Sequence, residues 1–379
     1  MNENNENSEL IETSEDAEDE GESELYPYDP TQSDSDIDIR EVYLSVFELV
    51  RRHNEGRLIV DPEFQRNPLV WKQEQRSQFI ESTILDFPLP PFYVNETRDG
   101  KYIIVDGLQR TTALHQFVNN KFSLQGLEAL QHLNGKFFDD LKKMSGAYQT
   151  KIEDRRLTLH VLRPSVPTEI IYDIFKRINT GGTQLNRQEM RNCIFIGKAT
   201  RLLNELAKSE LFKKVIDNSI SSDRMRDKEF VLRYLSFQLL DYDKNYEGHI
   251  SPFVEKAMRK MNKMSDEEID QLKANFYRVM QLTDDFFGNR NFRVPLEGKT
   301  TRGRINVAVL ESVGYFFAKQ SDEFLQHHKP TIVGNFGRLL KDEEFLISVQ
   351  KNTNGKNRVK TRFELAQQIL GDITHADPN

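Results

Sequence analysis

The chain has 379 residues, of which 37% are hydrophobic and 30% charged, a composition that indicates two or three globular units with sizeable cores. A single cysteine, Cys193, excludes an internal disulfide framework and a Cys-rich zinc site. No stretch approaches the ~20 apolar residues that span a bilayer, and the N-terminus lacks the basic start and apolar run of a signal peptide. We therefore expect a cytoplasmic protein that contacts no membrane.

The formal net charge of −8 combines two parts of opposite sign. Residues 1–39 contain 15 Asp or Glu and no Lys or Arg, which leaves 45 acidic and 52 basic residues in the remainder. Segment 1–38 is predicted to be a disordered acidic tail, because it has too few large apolar residues to offset the entropy of ordering the chain. It is either a plain solvated tail or a regulatory arm that mimics nucleic acid. The mildly basic remainder permits contact with nucleic acid or a nucleotide.

Residues 39–185 are predicted to form an α+β domain of short strands interleaved with helices. The apolar spacing predicts helices over 42–50, 71–85, 108–118 and 168–178, and strands over 58–60, 92–94, 102–105 and 157–162. Residues 186–379 are predicted to form an all-helical domain, which opens with the capping pair Asn186 and Glu189. Its further helical patterns cover 198–214, 228–241, 251–262, 266–287, 304–319, 321–327 and 361–370.

The strongest chemical signal is segment 102–112, in which a strand ends in Asp106, Gly107 turns the chain and a helix begins at once. The first turn of a helix offers unpaired backbone N–H groups and the positive end of the dipole to an anion. Arg110, in that turn, carries a guanidinium suited to bidentate phosphate binding, and Asp106 could hold Mg²⁺ or orient a water. The alternative is that Asp106 caps the helix and pairs with Arg110. The glycine spacing of a Walker loop or a Rossmann fingerprint is absent.

Two further segments contain candidate ligands for the same anion. In 175–183, a helix that ends on two basic residues enters a Gly-Gly loop; the alternative is a glycine C-cap with no ligand. The residues of this loop that could face the ligand are Asn179, Thr180 and Gly181. Upstream, Arg66 either reaches a phosphate or bonds to loop carbonyls.

These three segments, in this order, resemble the domain that forms the N-terminal half of the GmrSD modification-dependent restriction enzymes. The family's DGQQR hallmark is matched by Asp106 to Arg110, followed by two threonines. The upstream FQR and Trp pattern is matched by Phe64 to Trp71, and the downstream F-x-R-I-N-x-x-G pattern by Phe175 to Gly182. The resemblance covers about residues 40–240.

The resemblance implies a ParB/sulfiredoxin-like fold for residues 39–185 and binding of a nucleoside triphosphate with Mg²⁺. Several members of the family also hydrolyse the nucleoside triphosphate, so the resemblance implies hydrolysis coupled to action on foreign DNA. The family residues carry over to Asp106, Gly107, Gln109 and Arg110, and also to Arg66 and Asn179. From these together with the residue patterns, we predict that the nucleotide-binding residues are Arg66, Gly107, Gln109, Arg110, Thr111, Asn179, Thr180 and Gly181. The predicted catalytic residues are Asp106 and Arg110, and Asp106 is also the predicted metal ligand.

The chain departs from the family pattern in two respects. Leu108 replaces the first Gln of DGQQR, and no His-Asn-His nuclease domain is recognisable, since His327 and His328 have the pattern of surface residues. We therefore expect a nucleotide-binding, NTP-hydrolysing component of a bacterial phage-defence or restriction system that acts with a separately encoded effector or nuclease subunit. The alternatives are a non-catalytic ParB-like DNA-binding module and a nuclease that uses the Asp106–Arg110 site.

Two basic segments in the second domain lie outside the resemblance. Residues 351–362 include five Lys or Arg around a Gly and could follow a phosphate backbone, with the steep salt dependence of such contacts. Residues 301–304 have the same character. The alternative for both is an exposed loop that leads into a helix. The charged segment 223–233 has the pattern of a solvated helix face; if the family packing holds, Arg224 and Arg226 could instead line the same cleft as Arg110.

Overall fold

The structure is a computed structural model that describes residues 38–60, 71–97, 99–144, 146–167, 170–172, 174, 177, 186–295 and 303–373. The described residues form two compact units, of which the first ends at Ile194 and the second begins at Phe195. Several predictions fall outside the described residues: the acidic tail up to residue 37, Arg66, Asn179, Thr180 and Gly181. Within the described ranges, no helix has the length and apolar character needed to cross a membrane.

The first unit is built on a mixed five-stranded sheet. Its strands are β1 (Ile39–Ser45), β2 (Leu58–Ile59), β3 (Phe92–Glu96), β4 (Tyr102–Asp106) and β5 (Arg156–Leu162), in the order β1-β5-β3-β4-β2. The pairs β1–β5 and β3–β4 are antiparallel, whereas β3–β5 and β2–β4 are parallel. Its helices are α1 (Val46–Asn54), α2 (Gln73–Ile84), α3 (Leu108–Val118), α4 (Phe138–Leu141), α5 (Tyr148–Glu153) and α6 (Arg187–Ile194), with a 3₁₀ turn at Gln131–Leu133. The predicted α+β class is confirmed.

Strand β4 contributes side chains to two separate cores. Ile104 belongs to the larger core, which also contains Leu114 and Phe117 of α3. Val105 belongs to a smaller cluster with Cys193 of α6. Because successive side chains of a strand point to opposite faces of the sheet, this alternation fixes the end of β4 from both sides.

The prediction of a helix over residues 42–50 is wrong in its first half. The chain is a strand up to Ser45, and α1 begins at Val46. All seven residues of β1 pair with β5, and this tertiary pairing overrides the local helical spacing. Ser45 marks the change, because its hydroxyl accepts a hydrogen bond from Glu48 N at 3.1 Å and caps α1.

The second unit is helical, as predicted. Its helices are α7 (Lys198–Lys208), α8 (Glu210–Ile216), α9 (Arg226–Leu239), α10 (Tyr242–Asn245), α11 (Ile250–Met261), α12 (Asp266–Phe287), α13 (Val307–Lys319), α14 (Asp322–His327), α15 (Lys329–Leu339), α16 (Glu343–Gln350) and α17 (Lys356–Leu370). Two 3₁₀ turns lie at Asp223–Met225 and Gly288–Arg290, and a short ribbon pairs β6 (Arg293–Val294) with β7 (Arg304–Ile305). The ribbon and the helices α15 and α16 were not predicted. The predicted helix over 304–319 starts instead at Val307, after β7.

Candidate functional site

The junction between β4 and α3 is built around Gly107. This residue is the N-cap of α3 and has φ 96° and ψ 15°, in the left-handed region that glycine adopts at little cost. A Cβ atom at this position would lie 2.4 Å from Cδ1 of Phe92. Gly107 has no side chain with which to cap α3, and in the described part of the chain no side chain accepts from the N–H groups of Leu108, Gln109 or Arg110. The junction therefore needs glycine for both its conformation and its packing.

Arg110 is held by four contacts at this junction. Its Nη2 lies 2.6 Å from Oδ2 of Asp106 and 3.2 Å from the carbonyl oxygen of Pro91. Its Nη1 donates to the carbonyl oxygen of Pro90. The guanidinium carbon lies 4.5 Å from the centroid of the Phe92 ring, within range of a cation–π interaction. Arg110 thus connects the first turn of α3 to the loop before β3.

The electrostatics of the site are dominated by the Asp106–Arg110 ion pair. The Arg110 side chain is 11% exposed and that of Asp106 is 30% exposed. Burial lowers the pKa of Arg110, and the Asp106 carboxylate opposes that shift, so the guanidinium stays charged at neutral pH. The alternative in which Asp106 pairs with Arg110 describes the observed geometry, although the N-cap position belongs to Gly107.

The neighbours of Arg110 on α3 make contacts of a different kind. Gln109 accepts a hydrogen bond at Oε1 from the backbone N of Trp71 at 3.3 Å. The Thr111 side chain is fully buried, and its hydroxyl has no hydrogen-bond partner in the described part of the chain. Leu108 is partly buried against the larger core. Thr111 would therefore have to move to contact a nucleotide, whereas the side chains of Asp106 and Arg110 are partly exposed.

Three residues of this site were not singled out from the sequence: Phe92, Pro90 and Pro91. Phe92 has a detectable signal, because an antiparallel hairpin of β3 and β4 places the start of β3 beside the end of β4. The register shifts next to Tyr93, which pairs with Asp106, so Phe92 falls next to the glycine of the junction. The two proline carbonyls carry no such signal, since their position depends on the path of the loop.

The junction offers a metal ion one carboxylate, that of Asp106. No group of three or more His, Cys, Asp or Glu side chains converges anywhere in the described residues. Mg²⁺ in nucleotide sites is commonly held by one or two carboxylates together with phosphate oxygens and waters. Asp106 is the carboxylate at the junction that could take this part.

The first unit carries the family relationship of this chain. Residues 46–196 match the family model described as the N-terminal domain of the GmrSD restriction endonuclease. The matched range begins at α1 and ends just after α6, so it includes the β4–α3 junction. No curated protein matches the chain in sequence.

Proposed function

Because residues 46–196 belong to the family of GmrSD restriction endonuclease N-terminal domains, we infer that the chain is a component of a restriction or phage-defence system. We propose that this domain binds a nucleoside triphosphate with Mg²⁺ at the β4–α3 junction and hydrolyses it. One observation supports this most directly: Arg110 lies in the first turn of a helix whose N-terminus no side chain caps.

A phosphate group at this junction would meet donors that are already in place. The backbone N–H groups at the start of α3 point towards its N-terminal end, where the helix dipole favours negative charge. Gly107 has no side chain to keep a ligand away from these groups. Because Phe92 packs against Gly107, the backbone of the turn is held in this conformation before any ligand arrives.

Arg110 would bind the phosphate at this site, and Asp106 would bind the metal ion or a water. The carbonyl oxygens of Pro90 and Pro91 anchor the guanidinium, so its position does not depend on Asp106 alone. A phosphate can take the place of the carboxylate as the anionic partner of Arg110, which frees Asp106 to hold a metal ion or orient a water. Mg²⁺ bound with the nucleotide would supply neutralisation of the phosphate charge.

Steady-state hydrolysis of ATP, GTP, CTP and UTP with Mg²⁺ tests the proposal. We expect turnover in the wild type and a loss of about 100-fold or more in Asp106→Asn and Arg110→Ala. Arg110→Lys should also be impaired, because an ammonium group cannot reproduce the planar fork.

Arg76→Ala is the matched control. Arg76 donates to Oε1 of Gln116 at 2.6 Å and lies over the Phe122 ring at 4.8 Å, so it makes contacts of the same types away from the junction. Its turnover should stay within about threefold of the wild type. Equal turnover in the wild type and in both junction variants would exclude the proposed site.

A second candidate function is a non-catalytic module that binds nucleotide or DNA. It is favoured by the closed Asp106–Arg110 ion pair, at 2.6 Å, which leaves neither residue poised for chemistry. Thermal stabilisation by a nucleotide without turnover would support this candidate. Cleavage of DNA with Mg²⁺, lost in Asp106→Asn, would instead indicate a nuclease at the same site.

We propose that this chain acts together with a separately encoded effector or nuclease subunit, which the restriction role inferred from residues 46–196 would call for. Affinity purification of the tagged full chain from its host, with mass spectrometry of the co-purified proteins, tests this idea. Recovery of the chain alone, with and without DNA and nucleotide, would count against a stable partner.

A further inference from the structure

A surface depression lies at the start of α17, in the second unit. Its volume is about 500 Å³. It is lined by residues that are polar, basic or glycine: Asn352, Gly355, Lys356, Asn357, Arg358 and Thr361. Lys351 is exposed immediately before this segment. We call Lys351, Lys356 and Arg358 the α17 basic surface.

The α17 basic surface differs in its ion pairs from the rest of its helix. Across the described residues, none of its three side chains forms an ion pair. Lys360, further along the same helix, differs, since its Nζ lies 3.9 Å from Asp243 and 3.7 Å from Glu364. The positive charge is therefore concentrated at the depression and not spread evenly over α17.

Lys356 and Arg358 do not stabilise α17. Gly355 is the N-cap without a side-chain hydrogen bond, and the first turn contains no acidic residue. Cations at a helix N-terminus are disfavoured by the helix dipole. Lys356 and Arg358 are therefore placed where they cost the isolated helix stability, and an anionic partner would relieve that cost.

The loop before α17 is fixed from inside the unit. Nη1 of Arg362 donates to the carbonyl oxygen of Thr353 at 2.5 Å. Nη2 of Arg233 donates to Oδ1 of Asn354 at 3.2 Å, and the Tyr246 hydroxyl donates to the carbonyl oxygen of Asn354 at 2.7 Å. Because these acceptors are bound by inner donors, the loop is held in place and its oxygens are engaged away from the depression.

A buried ion-pair cluster supports this loop. The buried Glu311 carboxylate pairs with Arg233 at 2.6 Å and with Arg362 at 2.5 Å. Glu229 also interacts electrostatically with Arg233. The cluster therefore fixes the two arginines that bind the loop.

Arg304, distant in sequence, approaches the same region. Nδ2 of Asn306 donates to the carbonyl oxygen of Val349 at 2.7 Å. This bond places the end of β7, with the exposed Arg304, next to the end of α16, two residues before Lys351.

We propose that the α17 basic surface binds the phosphate backbone of double-stranded DNA. Sites for single strands usually combine positive charge with exposed aromatic rings on which bases stack. The exposed large apolar side chains in the described second unit are Ile347 and Ile373, neither of them aromatic. Lys and Arg without such rings suit phosphate contacts, which supply affinity without reading sequence. This binding goes beyond the proposed nucleotide site and uses a different unit.

Fluorescence anisotropy with a labelled 20-base-pair duplex, between 50 and 200 mM salt and without nucleotide, tests the proposal on the full chain. We expect the triple variant Lys351→Gln, Lys356→Gln and Arg358→Gln to bind at least tenfold more weakly at the lowest salt. The slope of log K against log salt should also decrease in magnitude by about 2 to 3, because each lost phosphate contact removes roughly 0.9.

The control carries the same change of net charge elsewhere on the second unit: Lys213→Gln, Lys263→Gln and Lys273→Gln. This control should bind within twofold of the wild type. Equal losses of affinity in the two triple variants would show that only net charge matters, and this would overturn the proposal. An α17 variant that binds DNA as tightly as the wild type would also overturn it. Tighter binding of a matched RNA duplex or single strand would reassign the surface to that ligand. NTP turnover should be unchanged in the α17 variant, so the two proposals can fail separately.

Discussion

The Phe92 ring packs against the guanidinium group of Arg110, whose central carbon lies 4.5 Å from the ring centroid. Phe92 is fully buried, so the ring is a fixed surface and not a mobile partner. The same ring lies against Gly107. One residue of β3 therefore determines both the turn that opens α3 and the position of the arginine in its first helical turn.

Gly107→Ala should destabilise the first unit by more than the backbone conformation alone explains. A left-handed conformation costs a non-glycine residue about 1–2 kcal/mol, and the new methyl group would also collide with Phe92. Gly100→Ala is the control, because Gly100 has φ +77° but no atom lies within 4 Å of the place that its added methyl group would take. We expect Gly107→Ala to cost at least ~1 kcal/mol more than Gly100→Ala. Urea denaturation followed by the fluorescence of Trp71, the one tryptophan of the chain, measures the first unit. Equal losses of unfolding free energy in the two variants would mean that the Phe92 ring moves aside without cost.

Leu108→Gln restores the family's DGQQR sequence and should lower stability without improving nucleotide binding. Leu108 is partly buried against the larger core, so an amide there loses apolar burial worth roughly 1 kcal/mol. The Trp71 denaturation assay gives the stability, and nucleotide-dependent thermal shift gives the binding. A variant that binds nucleotide at least tenfold more tightly would show that position 108 contacts the ligand.

Glu311→Gln should strongly destabilise the second unit. Glu311 bonds to both Arg233 and Arg362, and its loss leaves two buried guanidinium groups without the carboxylate that they share. Breaking a buried pair in this way costs about 3–5 kcal/mol. Glu364→Gln removes a carboxylate that is 58% exposed and 3.7 Å from Lys360, and should cost less than about 1 kcal/mol. Circular dichroism at 222 nm during thermal unfolding compares them, and similar midpoints would contradict the assigned role of Glu311.

The first unit should lose stability as the pH falls below about 6.5, the ordinary pKa of histidine. Burial lowers the pKa of His115, helped by the charges of His53 and Lys121. The unfolded chain then binds a proton more readily than the folded one, so the contribution is present above pH 6.5 and is lost as the pH falls towards the folded pKa. Nε2 of His115 lies 2.9 Å from Oδ1 of Asn54, and its ring contacts His53 at 4.2 Å between centroids.

Urea midpoints from Trp71 fluorescence between pH 5 and 7.5 would measure this dependence. His115→Gln should flatten it, whereas His132→Gln, at an exposed position of the same unit, should leave the wild-type slope. An unchanged slope in His115→Gln would assign the pH dependence to other groups.

The sequence by itself determined the elements whose signals are local. The predicted helix over 266–287 has the bounds observed for α12, because Ser265 and Glu268 form a reciprocal capping box at its start. The strand–glycine–helix order of β4, Gly107 and α3 was predicted in the same way. Each depends on side-chain periodicity, on a glycine conformation or on a cap, all of which act within a few residues.

The tertiary structure alone decided the interactions between segments that are distant in sequence. Val42 lies in a strand because β5 pairs with it, although its own spacing is helical. Arg110 was predicted to face a ligand, but Phe92 and the two proline carbonyls that anchor it were not found from its neighbours in sequence. The approach of β7 to the end of α16 rests on one bond, between Asn306 and Val349. Such contacts depend on strand register and on how helices pack, and these are fixed by the burial of the whole core and not by any local run of residues.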